Sequence, residues 1–266
     1  MKVDYSGYKD FLFERRGTIL TVTMNRPATL NAVTGEMHEE LSRLFYDIGM
    51  DEETHVCIFT GAGKAFSAGG DIDGMQLLYE KPALFEYSIH EAKKMIFGLL
   101  DCEKVIICRL NGDAVGLGAT LALFCDIIIA DESARLGDPH VRVGLAAGDG
   151  GAIIWPQLIG YARAKQYLLS GDLIGAKEAA QIGLINFAVP TAELDKKVNE
   201  WADKLANGAW KSIKFTKIAT NMSLRQLAHS MMDACISYES ICNLSEDHGE
   251  AIAAFREKRK PKFTGK

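Results

Sequence analysis

Val56-Cys57-Ile58-Phe59-Thr60, running into Gly61-Ala62-Gly63-Lys64-Ala65-Phe66-Ser67-Ala68-Gly69-Gly70-Asp71-Ile72, is the stretch on which the fold turns. Its first five residues are apolar or β-branched and read as a strand, which the glycines then break. The loop is not a phosphate cradle. Its GxG is followed by Phe66 where a dinucleotide loop needs a third glycine, and the GxxxxGK(S/T) frame is absent. Gly116-Leu117-Gly118-Ala119-Thr120-Leu121 fails the same test at Leu121. A different use of such glycines is to bare backbone N–H groups. One N–H from Ser67–Asp71 and one from Val115–Gly118, aimed at a single carbonyl oxygen, would form an oxyanion hole; otherwise both segments are plain turns.

Outward from this stretch the chain alternates strands and helices. Phe11 to Met24 reads as two short strands turning at Gly17, and a helix starts near Thr34 with Met37, Leu41, Leu44, Phe45 and Ile48 on one face. Beyond the loop come an amphipathic helix over about 83–100, a strand at Val105–Cys108, a small-residue helix near Gly118–Phe124 and a strand at Ile127–Ala130. From about residue 149 the chain is mostly helical, with one more strand at Ile185–Val189 and no Ser- or Pro-rich linker. Repeated strand–strand–helix units ahead of a helical tail make an α/β or α+β layered fold.

Composition narrows the function classes. With 266 residues, 48% hydrophobic and only 6 Pro, the chain has apolar mass for a sizeable core, which excludes disorder. A net charge of −5 argues against a nucleic-acid partner. No 18-residue uncharged run and no apolar leader appear, so neither a membrane span nor secretion is expected. The 6 cysteines, with no CxxC, read as core filler in a cytoplasmic protein, without disulfide or structural metal.

The combined spelling of Asn25-Arg26-Pro27, Leu30-Asn31-Ala32, the Gly61–Ile72 loop, Asn111-Gly112 through Cys125-Asp126-Ile127, and the tail Ala254-Phe255-Arg256-Glu257-Lys258-Arg259-Lys260-Pro261-Lys262-Phe263 resembles the crotonase (enoyl-CoA hydratase/isomerase) superfamily. The resemblance implies a spiral of ββα units over 1–195 and a C-terminal helical trimerisation region over 196–266. It implies a homotrimer or a dimer of trimers, no cofactor, and an acyl-CoA thioester as substrate reacting through an enolate. Carried over by position, the N–H groups of Ala68 and Leu117 form the oxyanion hole. Lys64, Ala65, Ala68, Gly69, Gly70, Asp71, Ile72 and Thr120 fall on the substrate path, with Met75, Leu77 and Leu78 beside the acyl group. Lys260 and Phe263 reach CoA held by a neighbouring subunit.

The departures bear on the reaction. The hydratases' two glutamate positions hold Thr120 and His140 here, and Leu117 stands where the second oxyanion donor is usually glycine. A threonine is no base near neutral pH without activation. The acid–base work then falls to three other residues. His140 follows Asp138-Pro139 and is either catalytic or merely bonded in its loop. Asp149, ahead of Ile153-Ile154-Trp155, is either a helix N-cap or a catalytic carboxylate. Glu239 shares a helical stripe with Ala228, Met232, Cys235 and Cys242, so it is either salt-bridged or an acid with a raised pKa. His140, Asp149 and Glu239 together resemble the 6-oxocamphor hydrolase branch, which cleaves a C–C bond of a β-diketone without CoA. His38 reads as a surface histidine, with the pocket as its alternative. Three functions follow: an acyl-CoA lyase or isomerase lacking the glutamate pair, a CoA-independent β-diketone hydrolase, or a non-catalytic binding relative.

Overall fold

The structure is a computed structural model and describes residues 2–266. Strands β1 (Phe11–Arg16) and β2 (Ile19–Met24) form the expected hairpin, and helix α1 (Gly35–Met50) starts where Thr34 accepts a hydrogen bond from the Met37 N–H. Strand β3 (Val56–Gly61) leads through the glycine loop to α2 (Ile72–Glu80) and α3 (Ala83–Asp101). Then follow β4 (Val105–Leu110), β5 (Ala114–Val115), α4 (Leu117–Leu123), β6 (Ile127–Asp131), β7 (Arg135–Gly137) and α5 (Gly151–Ser170). The chain ends with β8 (Ile174–Gly175), α6 (Ala176–Gln181), β9 (Phe187–Val189), α7 (Thr191–Ala206), α8 (Trp210–Asn243) and α9 (Glu246–Arg256).

Six strands make one sheet in the order β1-β2-β3-β4-β6-β9, parallel except for the β1–β2 edge, and β5, β7 and β8 make a small second sheet. Both faces of the large sheet are covered, so β3 is buried along its whole length. Alternation sorts its side chains. Cys57 and Phe59 point with Met37, Leu41, Phe45 and Met95 into the main core, while Val56 and Ile58 meet Leu194, Val198 and Ala202 of α7. The expected division after residue 195 falls inside α7, between Leu194 and Val198, which pack on the same sheet face.

Two loops are sewn together at the carboxyl ends of the parallel strands, where open α/β sheets place their crevices. Val33 N–H bonds the Gly69 carbonyl at 2.8 Å and Asp71 N–H bonds the Val33 carbonyl at 3.1 Å. Val115 N–H reaches Ser67 O at 3.0 Å, and Gly116 N–H reaches Gly137 O at 2.9 Å. The buried Asn31 amide donates to Ala62, Ala65 and Phe66 carbonyls at 2.9–3.1 Å, holding the turn after β3. The long α8 is pinned beneath the sheet by Lys217, whose ammonium bonds Asp126 at 2.7 Å and the Lys104 carbonyl at 2.6 Å.

Candidate active site

Between the loop after β3, the start of α4, and helices α1, α2, α3 and α8 lies a cavity of about 350 Å³. Gly70, Leu117, His140, Asp149 and Glu239 all line it. Thus the three acid–base candidates, from three parts of the chain, share one space with residues of both glycine loops.

The backbone donors differ in one place from expectation. Ala68 is exposed and spends its N–H on the Leu30 carbonyl at 2.9 Å, so it is not available to an oxyanion. The Val33–Gly70 bridge uses the N–H groups of Val33 and Asp71 and leaves that of Gly70 without an acceptor among the described residues. Leu117 is the first residue of α4, where an N–H has no intrahelical acceptor; the helix's first bond runs from Thr120 N–H to Gly116 O at 3.0 Å. The two segments touch, since a Cβ on Gly116 would lie 4.0 Å from Gly69 Cα and 3.7 Å from His140 Cε1.

His140 opens a 3₁₀ turn (His140–Val143) just past Pro139. Its Nδ1 is hydrogen-bonded to Asp138 Oδ1, and its Nε2 faces Asp149 Oδ2 at 3.6 Å. Asp149 in turn accepts a bond from the Thr120 hydroxyl at 3.1 Å and a long one from Gly151 N–H at 3.4 Å. The N-cap of α5 is Gly150, which has no side chain to cap with; Asp149, one residue earlier, meets α5 only through the long Gly151 bond and otherwise faces Thr120 and His140. Glu239 has no ion-pair partner among the described residues, which removes the salt-bridge alternative, and its Oε2 is sealed from solvent without a hydrogen bond. The loop's glycines make this approach possible. A Cβ on Gly148 would sit 2.8 Å from Glu239 Oε2, and one on Gly151 would sit 1.9 Å from Asp138 Oδ2.

Burial and charge set the proton affinities. Burial alone would drive the His140 pKa down, but the carboxylates of Asp138, Asp149 and Glu239 outweigh it and hold the imidazole well above its usual value. Burial raises Asp149 above the usual carboxylate range, against the opposing charge of His140 and the Thr120 bond. Burial likewise pushes Glu239 up to about 8, with Asp149 and Asp138 adding to the effect and His140 opposing it. The site therefore holds an imidazolium between two carboxyl groups, with a protonated acid at the α8 wall. Such a set can pass a proton to, or take one from, a molecule whose carbonyl is held by Gly70 and Leu117. Donor atoms of Asp138, His140 and Asp149 lie within 4.8 Å of one another, a spacing a metal could use, but they are engaged with each other.

Other expected residues fall in different places. Asp71 lines the cavity, but its carboxylate caps α2 by accepting the Gly74 N–H at 3.0 Å. Thr120 is fully buried and acts through Asp149. Lys64, Ala65, Ala68 and Gly69, on the loop leading to the cavity, and Ile72, the first residue of α2, lie outside its lining. Met75, Leu77 and Leu78 line it from α2. Lys260 and Phe263 are on the tail beyond α9, away from this cavity. His38 is not a surface residue: it lines the cavity, half-buried, with Nδ1 2.5 Å from Glu91 Oε2. Sequence reading also passed over Asp138 as a partner, although its place two residues before His140 across a proline was a usable signal. His248, on α9, gave none.

Residues 14–266 match the family described as enoyl-CoA hydratase/isomerase. The short-chain-enoyl-CoA hydratase of Clostridium acetobutylicum is 35% identical over 263 residues, covering 94% of this chain and 95% of that protein. An enoyl-CoA hydratase/isomerase structure from Mycobacterium paratuberculosis superposes with a TM-score of 0.90 at 32% identity, covering 94% and 99% of the two chains. A β-diketone hydrolase from the cyanobacterium Anabaena, bound to (S)-3-oxocyclohexyl acetic acid, superposes with a TM-score of 0.84 at 29% identity, covering 90% and 96%. The α/β layers, the helices α8 and α9 and this whole-length similarity agree: the chain belongs to the enoyl-CoA hydratase/isomerase family, with the crotonase fold.

Proposed function

We propose that the protein acts on an acyl thioester of coenzyme A, with the thioester oxygen between the Gly70 and Leu117 N–H groups and an enolate as intermediate. The observation that carries this reading is the pair of acceptor-free N–H groups on touching loop segments beside His140. Asp149 and Glu239 take the place of the hydratases' glutamate pair, whose positions hold Thr120 and His140. Thr120 orients Asp149, and Asp138 holds the His140 ring and its charge. In the ionised form Asp149 accepts a proton from water or from the carbon next to the thioester carbonyl. Glu239 returns a proton to the enolate, so hydration and double-bond shift are both open to this set. Met75, Leu77, Leu78 and Phe85 supply an apolar wall for the acyl chain. Exposed Phe215, Met222, Tyr238, Ile241 and Leu244 along α8 support the expected self-association.

A second reading has a specific observation behind it. The Anabaena β-diketone hydrolase is among the structural neighbours, and a sealed His–Asp–Glu set would equally well position water for attack on a ketone carbonyl held by the same N–H groups. Titration with acetoacetyl-CoA separates the two. Tight binding with the ultraviolet absorbance of a bound enolate supports the thioester reading. No binding, together with turnover of bicyclic β-diketones, replaces it with C–C hydrolysis. A large fall in turnover in a His140→Ala variant that folds normally would remove the reading of a non-catalytic binding relative.

A further inference from the structure

Ser67 is fully buried between the two glycine loops, and its hydroxyl is engaged twice. It donates to the Asn31 carbonyl at 2.8 Å and accepts the Gly69 N–H at 3.2 Å. A hydroxyl held in this way has no route to a substrate and is not a nucleophile. Gly69 is the residue just ahead of the Gly70 donor. On its other side Ser67 meets the segment of the second donor. Its carbonyl accepts the Val115 N–H at 3.0 Å, and its backbone bridges Ala114 in parallel. Its side chain packs against Gly118, where a Cβ would lie 2.7 Å from Ser67 Cβ and 3.0 Å from Oγ. Gly118 follows directly on Leu117, the other donor.

One small side chain thus bonds the residue before the first donor and packs on the residue after the second. Its support is stiff. Asn31 holds a left-handed backbone at φ 55°, and its side-chain amide clamps the carbonyls of Ala62, Ala65 and Phe66. A hydroxyl hung from the Asn31 carbonyl is therefore fixed to the turn after β3 and does not drift with the loop. Two N–H groups share one oxygen well only when their spacing is kept to about 0.5 Å. We infer that Ser67 is a positioning residue, whose side chain sets the spacing of the Gly70 and Leu117 N–H groups and hence how much negative charge the ligand oxygen can carry, an assignment that rests on the thioester reading of this site.

The test follows the ultraviolet enolate absorbance of bound acetoacetyl-CoA against pH in wild type and Ser67→Ala, beside calorimetric binding of butyryl-CoA, which stays a neutral thioester. Removing the hydroxyl unties Gly69 from Asn31. The N–H pair matters most where charge develops, so the pH at which half the bound acetoacetyl-CoA is enolate is expected to rise by about one unit, a tenfold loss, while butyryl-CoA affinity stays within about twofold. A serine that only supports the fold would weaken both ligands alike and leave that pH in place, and this result in a folded Ser67→Ala overturns the assignment while the thioester reading stands. Should Ser67→Ala fail to fold, Ser67→Cys takes its place, since a thiol keeps a weak donor and acceptor there, and is expected to move the pH the same way by less; an unmoved pH overturns the assignment equally. Wild type that binds no acetoacetyl-CoA, or binds it without the enolate absorbance, overturns the thioester reading and this assignment with it.

Discussion

Replacing Glu239 by Gln tests the electrostatics of the site without any substrate. Glu239 moves from an ordinary carboxyl value of 4.5 to about 8 in the fold. Between those values the native state holds a proton that the unfolded chain has released, so stability falls as pH rises, by about 1.4 kcal/mol per unit. Over the whole interval the loss amounts to about 5 kcal/mol, which is large beside the usual net stability of a domain. His140 and Asp149 are also raised and act with the same sign, His140 above its unfolded value of 6.5 and Asp149 above 3.8. Depressed carboxylates such as Asp51, Asp131 and Glu250 lose their contributions at lower pH and leave this window clear. Gln has nearly the shape of the protonated acid and no titration. Urea unfolding followed by tryptophan fluorescence, from about pH 5 to about pH 8, is the assay. Wild type should weaken steadily, and the variant should weaken less steeply below about pH 6.5, where His140 adds little and Asp149 still acts with the same sign. An unchanged slope in Glu239→Gln would show that Glu239 is not the proton holder and would remove it from the acid–base set.

Three further outcomes are expected. Leu117→Pro deletes one N–H at the first position of α4, where proline is tolerated, so the fold should survive while turnover drops about 10²–10³-fold; normal turnover in steady-state kinetics would exclude this donor. Asp138→Asn keeps an acceptor beside His140 but removes a charge that raises its pKa, so an alkaline limb of the pH–rate profile set by His140 should move to lower pH; an unmoved limb would assign it elsewhere. Lys217→Met strands the Asp126 carboxylate in the core and should cost about 3–5 kcal/mol in urea unfolding; a smaller loss would mean that Asp126 takes up a proton at little cost.

Much of this was legible in the sequence because the signals were local. Short apolar and β-branched runs marked the strands, and Thr34 ahead of Met37 and Leu41 marked α1. The glycine loops marked backbone exposure, and His140, Asp149 and Glu239 do share one cavity. What was hidden depends on contacts distant in sequence. Gly70 rather than Ala68 carries the free N–H because Ala68 spends its amide on the Leu30 carbonyl while the Val33–Gly70 bridge uses only the amides of Val33 and Asp71, and residue types say nothing about that register. Whether Asp149 caps α5 or turns to His140 depends on Thr120, 29 residues back in the chain. His38 and His248 look like ordinary helix residues, and only the packing of α2, α3 and α9 brings them to the cavity.

The charge balance of the site favours one direction of proton flow. Three carboxyl groups around one imidazole would leave two uncompensated negative charges if all four ionised, which burial of these groups makes costly. The fold meets this by keeping protons: His140 stays cationic, Glu239 stays neutral to about pH 8, and Asp149 is raised as well. A free base is therefore scarce at neutral pH, while donors surround the place where an enolate would form. Steps that deliver a proton to an intermediate held by Gly70 and Leu117 are helped throughout. Steps that remove one depend on the ionised fraction of Asp149, which Thr120 and His140 sustain by favouring its charged form. The Thr120 hydroxyl, after the His140 charge, thus helps to set how much ionised Asp149 the site holds.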